Sequence, residues 1–384
     1  MSRATTARLD LGALVHNLRR ARAAAPGRRV MAAVKANAYG HGLVRVARAL
    51  DADAFAVAAI EEALILREAG INRPILLLEG VFEAAELPLC ARHGLEIVVH
   101  HPEQARLLES ARLERPVRVW LKIDSGMHRL GLDPERAPAA FQLLRACPAV
   151  APAVRLMSHL ARADERDCAY TRQQLHTFET ATAGLPGERS LANSAGILGW
   201  PQTHFDWVRP GIMLYGASPF ADSLASDEDL RPVMTFHTRL IAINRLRRGE
   251  PIGYGGTWTC PEEMDVGVAA VGYGDGYPRH APSGTPVLLD GRAAALIGRV
   301  SMDMITLDLR QHPEARIGDP VVLWGEGLPV ERIARAAGTI SYALLCGVTA
   351  RVRVEILQIP APSPSERWER DYSTRGEDSE EESR

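Results

Sequence analysis

Cysteine is scarce in this chain of 384 residues, and the five present are scattered. Cys90, Cys147, Cys168, Cys260 and Cys346 form no C-x-x-C pair, so they fit neither a disulfide framework nor a zinc site. A reducing compartment is expected, and a metal centre is not. An excess of either charge is also lacking: 45 Lys and Arg stand against 47 Asp and Glu, a formal net charge of −2. Nothing basic is left over to meet nucleic-acid phosphates or an anionic membrane, so neither is expected as a partner. No apolar stretch approaches the roughly 18 residues of a membrane span. The opening MSRATTARLDLGALVHNLRRARAAAPG has no apolar h-region or small-residue cleavage site and reads instead as an amphipathic helix from about Leu11. The expectation is a cytoplasmic protein.

What remains is an ordinary globular composition, 46% hydrophobic and 24% charged, long enough for two or three domains and a large core. The front of the chain alternates short apolar runs with helical patterns. The runs are 29–34, 54–58, 74–79, 95–100, 117–124, 153–160, 189–193 and 205–212. Eight buried parallel-type strands separated by helices within about 220 residues predict a (β/α)₈ barrel. An open doubly wound sheet is the alternative, weakened because no G-x-G-x-x-G follows the first run. From about Arg231 the runs become strand-like and are separated by Gly and Pro, with Asp290-Gly291 a type I′ hairpin signal. The fold class expected is therefore α/β, a barrel domain with its leading helix over 1–230 and a mainly β domain over 231–360. The tail, 361–384, carries eight acidic and four basic residues and little to bury, so it is expected to be disordered.

A barrel of this kind places its chemistry at the C-terminal ends of its strands. Lys35 follows the first run, Lys122 and Arg129 the fifth, His159 the sixth, Asn193 and Ser194 the seventh, and Arg209 the eighth. A lysine at such a place can be desolvated into a Schiff-base nucleophile, although most lysines snorkel to solvent. Ser194, with Gly211 and Ile212, could offer a hydroxyl and backbone N–H groups to a phosphate; the plainer reading of Ser194 is a helix N-cap. Arg209 donates hydrogen bonds without accepting, which suits an acceptor nitrogen or a carboxylate. His159 lacks a second ligand at metal spacing and reads as a hydrogen-bonded packing residue. Tyr254 and Tyr273 sit on glycine-rich turns, where a phenol could serve as acid or base.

The segments AVKANAYGHG, LKIDSGMHRLG, FDWVRPGIMLYG, PIGYGGTW, VGYGDGYPR and GRVSMDM, in this order, resemble those of the alanine racemases that use pyridoxal 5′-phosphate. The resemblance runs from about Leu9 to about Ile359. It implies an isomerase interconverting L- and D-alanine, for peptidoglycan or for alanine catabolism, and a homodimer whose active sites are shared between subunits. It assigns Lys35 as the lysine that holds the cofactor and acts on D-alanine, and Tyr254 as the base for L-alanine. Tyr39, Ser194, Gly211, Ile212 and Tyr342 match phosphate-binding positions, and His159 and Arg209 a hydrogen-bonded pair beneath the cofactor ring. Arg129 and the backbone N–H of Met302 match contacts to the substrate carboxylate, Arg129 also lying near the cofactor. Tyr273 matches a position lining the substrate entrance, Asn193 is a supporting residue, and Lys122 matches a lysine often carbamylated by carbon dioxide. His128 stands where many members have Gly, and Ser301 where some have Cys. Among alternatives, decarboxylases of the same architecture place a carboxylate where this chain has Arg209. Cofactor-homeostasis proteins resemble the barrel alone, and broad-specificity amino-acid racemases usually carry an export signal.

Overall fold

A computed structural model of the chain describes residues 3–357, so the charged tail expected over 361–384 lies outside the described residues. The eight apolar runs form eight parallel strands, β2 (Arg29–Ala33), β3 (Ala54–Val57), β4 (Ile75–Leu77), β5 (Glu96–Val99), β6 (Arg118–Lys122), β7 (Arg155–Met157), β8 (Arg189–Ser190) and β9 (Trp207–Val208). They close into a barrel in chain order, β9 returning to β2, which bears out the fold expected from the sequence. These strands read as continuous apolar runs because helices cover the outside and side chains fill the inside. The interior packs Ala54 and Ala56 with Met31, Leu76, Val98 and Met157, and with Trp120 and Trp207, whose rings meet edge-on at 6.0 Å.

Charge is buried at the N-terminal end of the barrel. The Glu96 carboxylate, first residue of β5, accepts from Trp120 Nε1 and Arg155 Nη1, both at 2.7 Å. Glu188 accepts from Trp207 Nε1 at 2.9 Å and pairs with Arg155 and Arg29. Each indole N–H inside the barrel thus finds a carboxylate acceptor.

A strand the sequence reading did not anticipate precedes the first helix. β1 (Thr6–Asp10) runs directly into helix Leu11–Ala24, which the Asp10 side chain caps by accepting from Ala13 N at 3.0 Å. β1 does not belong with the barrel domain assigned to residues 1–230. It pairs antiparallel with β10 (Met234–Leu246) and parallel with β18 (Arg353–Leu357) of the second domain. Its five residues are too few, and too mixed in polarity, to announce a strand.

Of the remaining strands, β11 (Pro251–Ile252) and β12 (Trp258–Thr259) form a small hairpin. β13 (Met264–Ala269), β14 (Pro286–Leu289), β15 (Arg292–Ile297), β16 (Ile305–Asp308) and β17 (Pro320–Trp324) build the second sheet with β10. The long β10 pairs with β17 over its first half and with β13 over its second, so the sheet closes on itself through that one strand. Asp290 and Gly291 take φ of 45° and 75° between the paired Leu289 and Arg292, the positive values a type I′ turn requires. Helices Val330–Ala336 and Ser341–Cys346 then carry the chain back to the mouth of the barrel. No helix among the described residues is long and apolar enough to cross a membrane.

Candidate active site

The C-terminal ends of the barrel strands open into a cavity of about 860 Å³. Lys35, Tyr39, Lys122, Arg129, His159, Asn193, Ser194, Arg209, Gly211, Ile212 and Tyr342 all line it, contributed by loops after five different strands and by the helix Ser341–Cys346. Their convergence follows from the barrel closure, which turns eight strand ends toward one space.

Lys35 begins an unusual turn. Ala36, Asn37, Ala38 and Tyr39 all have φ of 52–54°, a left-handed run without a glycine. Such a conformation costs roughly 1–2 kcal/mol per residue, so the surroundings must hold it. The run ends at Gly40, φ 81°, and presents Tyr39, which stacks on the buried Tyr215 with ring centroids 4.6 Å apart. The Tyr215 hydroxyl donates to Ala33 O at 2.8 Å, tying the stack to the end of β2.

Opposite this turn, Asn193 caps the helix Ser194–Gly199 by accepting from Gly196 N at 3.0 Å. The plainer reading of Ser194 as the N-cap is therefore corrected. With Asn193 doing the capping, the Ser194 hydroxyl turns to the loop after β9 and accepts from Gly211 N at 2.8 Å. A side chain at Gly211 would come within 2.6 Å of the Tyr39 hydroxyl, so only glycine lets Tyr39, Ser194 and this backbone meet. The result is a cradle of hydroxyls and N–H groups at one end of the cavity.

Arg209 lies buried beneath the other part of the cavity. Its Nη1 donates to Ser190 Oγ, and its Nη2 to Ser158 O, to Leu191 O at 3.3 Å and to His159 Nδ1 at 3.5 Å. Every acceptor is neutral, and among the described residues no carboxylate pairs with it. Burial lowers the Arg209 pKa to about 10, which still leaves it protonated at neutral pH. Burial first, then the Arg209 charge, holds His159 far below the usual imidazole range, so His159 is a neutral acceptor.

Lys122 is buried as well, and its pKa falls to about 8. Burial contributes most, followed by the cations Arg209, Arg129 and Lys35, with Asp124 opposing. The loop carrying Arg129 folds around the Asp124 carboxylate, which accepts from Gly126 N and His128 N, both at 3.0 Å. His128 sits there at φ 53°, in the left-handed region, and its ring pairs with Asp124 at 3.1 Å. A hydrogen bond to Asp124 offsets what a glycine would have avoided.

Three expected residues are not brought to this cavity by the single chain. Tyr254, Met302 and Tyr273 lie on the β domain and are 67%, 53% and 39% exposed, none of them lining the cavity. Tyr273 and Met302 adjoin one another, Tyr273 N donating to Ser301 O at 3.1 Å and Gly274 N to Met302 O at 2.9 Å. Residues missed by the sequence reading are Tyr215 and Ser158, which support Tyr39 and Arg209, and Cys346, which lines the cavity. Tyr215 was within reach, since it closes the segment FDWVRPGIMLYG.

The cavity gathers four cationic side chains at the strand ends, with a hydroxyl and N–H cradle at one side. That donor set fits a small phosphorylated group, and Lys35 at the mouth fits a carbonyl carried by it. Comparison with known proteins points the same way. Residues 9–219 match the family model described as alanine racemase, N-terminal domain, and residues 233–356 the C-terminal domain of the same family. The chain is 59% identical over 346 residues to a protein of Nitrosococcus oceani named alanine racemase, covering 90% of this chain and 97% of that one. It is 53% identical over 354 residues to the biosynthetic alanine racemase of Escherichia coli K12, covering 92% and 99%. Its fold superposes with a TM-score of 0.91 on the crystal structure of the biosynthetic alanine racemase from Pseudomonas aeruginosa. That protein is 49% identical, with 93% of this chain and all of that one covered.

Proposed function

The chain belongs to the alanine racemase family, and from that premise we propose how its residues interconvert L-alanine and D-alanine. Enzymes of this family depend on pyridoxal 5′-phosphate, and the cationic lining with its hydroxyl and N–H cradle supports its binding in this cavity. Lys35 would bind its carbonyl carbon, and Tyr39, Ser194, Tyr342 and the backbone of Gly211 and Ile212 its phosphate. Arg209, supported by His159, would lie beneath its ring. Bound there, the cofactor supplies an electron sink that makes the Cα proton of alanine removable at an accessible pH.

Inversion then needs a base on each face of Cα. Lys35 Nζ takes the proton from D-alanine and returns one from the same side in the reverse direction. The phenol of Tyr254 of the partner subunit does the same for L-alanine. Arg129 holds the substrate carboxylate, joined by the N–H of Met302 of the partner subunit, and Tyr273 of the partner subunit lines the way in. Asn193 supports the phosphate end by freeing the Ser194 hydroxyl. The exposure of Tyr254, Met302 and Tyr273 away from their own cavity favours a homodimer with composite sites.

The observation that carries the racemase reading over a decarboxylase or transaminase is Arg209 among neutral acceptors. A guanidinium donates a hydrogen bond without giving up its proton, so Arg209 would leave an acceptor nitrogen of the cofactor unprotonated. A cofactor held so would be a weaker electron sink, which would favour racemisation over competing reactions. Two of the relatives are named biosynthetic, which favours a role in supplying D-alanine for peptidoglycan over catabolism. The composite site is tested by mixing Lys35→Ala and Tyr254→Ala chains, each nearly inactive alone, under conditions that exchange subunits. Heterodimers then contain one site with both bases intact, and activity returns. If no activity appears although exchange is demonstrated independently, the shared site is refuted.

A further inference from the structure

The left-handed turn from Ala36 to Tyr39 persists without a glycine, so its supports matter. Asn37 Oδ1 accepts from Leu43 N at 2.8 Å, and the Glu62 carboxylate accepts from Ala58 N at 3.0 Å and Asn37 N at 3.3 Å. The third support is His41. Its Nδ1 lies 3.1 Å from Ala38 O and 2.9 Å from Tyr39 O. Both partners can only accept, so Nδ1 carries the proton. The opposite nitrogen, Nε2, is buried without a partner, so the ring is neutral. Burial lowers its pKa to about 4, in keeping with that state.

The ring is held from the side as well. His41 stacks on Tyr215 with centroids 4.7 Å apart, and Tyr215 stacks on Tyr39 at 4.6 Å. One imidazole therefore fixes the turn through two carbonyls and, through Tyr215, braces the face of the tyrosine that the turn presents.

We infer that His41 is a positioning residue for the cofactor end of the cavity: its Nδ1–H holds the Ala38 and Tyr39 carbonyls and thereby sets the Tyr39 hydroxyl against Gly211 in the cavity lining. This rests on the reading of Tyr39 as a phosphate ligand. His41 touches neither cofactor nor substrate, so its effect passes through Tyr39 and Lys35. A requirement for a donor at Nδ1 separates this role from mere filling of space. The amide nitrogen of an asparagine reaches the position of Nδ1, that of a glutamine reaches Nε2, and phenylalanine keeps the stack with no donor.

The test measures retention of pyridoxal phosphate by the full-length holoprotein, read by absorbance after dialysis against falling cofactor concentrations. His41→Asn should bind within about threefold of the unaltered protein. His41→Gln and His41→Phe should bind about 10- to 100-fold more weakly, the worth of one or two buried hydrogen bonds. Equal affinity in all three variants, or an Asn variant as weak as the Phe variant, overturns the inference. Tyr39→Phe is the control: if it binds as tightly as the unaltered protein, the phosphate reading of Tyr39 fails. If it weakens binding while Gln and Phe at position 41 do not, only the role of His41 fails. Should the variants not fold, the ¹⁵N spectrum of the unaltered protein decides, since a His41 proton on Nε2 rather than Nδ1 refutes the inference.

Discussion

The surroundings of Lys122 dictate its chemical state. Its pKa falls from the ordinary 10.5 to about 8, so holding it charged in the free protein costs about 3 kcal/mol. At pH 8 about half of it is the neutral amine, against roughly 1 in 300 for an ordinary lysine. The neutral amine is the form that adds to carbon dioxide, losing a proton and leaving a carbamate anion. Such an anion would sit among Arg129, Arg209 and Lys35, the cations that disfavour the ammonium. It could orient Arg129 by charge-assisted hydrogen bonds. We predict that Lys122 is carbamylated. In ¹³C-bicarbonate the protein should show a carbamate carbon resonance that vanishes in Lys122→Ala, and its thermal midpoint should rise with bicarbonate by mass action. Lys122→Ala should lose activity that acetate or propionate partly restores. Where carbamylation is blocked by removing carbon dioxide, the depressed pKa penalises the fold in full below about pH 8, and stability should rise as pH climbs from about 8 to the ordinary 10.5. A free ammonium at Lys122 together with a fully active alanine variant would refute the reasoning.

Three further outcomes are expected. Borohydride should bleach the yellow holoprotein and leave a pyridoxyl group on Lys35; peptide mapping that finds it on Lys122, or on no lysine, removes the basis of the mechanism. Arg209→Glu should lower racemisation at least tenfold and raise pyruvate formed by transamination, both read by chromatography, whereas an unchanged product ratio would show that the group beneath the ring does not set reaction choice. Glu96→Gln should destabilise the barrel by about 3–5 kcal/mol in urea, the cost of breaking a buried ion pair, with little change in KM; a loss below 1 kcal/mol would mean the floor is hydrated.

The barrel was legible because burial on both faces makes each strand a continuous apolar run, as in PILLLE and LEIVVH, and helical spacing separates them. The residues after those runs were legible for the same reason, since closure brings strand ends together whatever they are. β1 was not, because its sheet partners are remote and its pattern is ordinary at five residues. Nor was the left-handed turn, as Ala-Asn-Ala-Tyr carries no glycine to signal positive φ. Asn193 and Ser194 are both good caps, and only the geometry of the β9 loop decides between them. The roles of Tyr254, Met302 and Tyr273 came from family resemblance, and a single chain leaves those residues pointing elsewhere.

The placement of β1 has a consequence for synthesis. All eight barrel strands lie between Arg29 and Val208, so the barrel can close while the chain is still being made. β1 cannot finish its pairing then, because Thr6 opposes Arg353 and Leu9 opposes Ile356. At roughly 5–20 residues per second, the stretch from Val208 to Leu357 takes on the order of 7–30 s, during which one strand edge waits unpaired beside a finished barrel. A ribosome stalled before β18 would therefore carry a folded barrel with an open strand edge. Products truncated before β18 should be prone to aggregate through that strand edge.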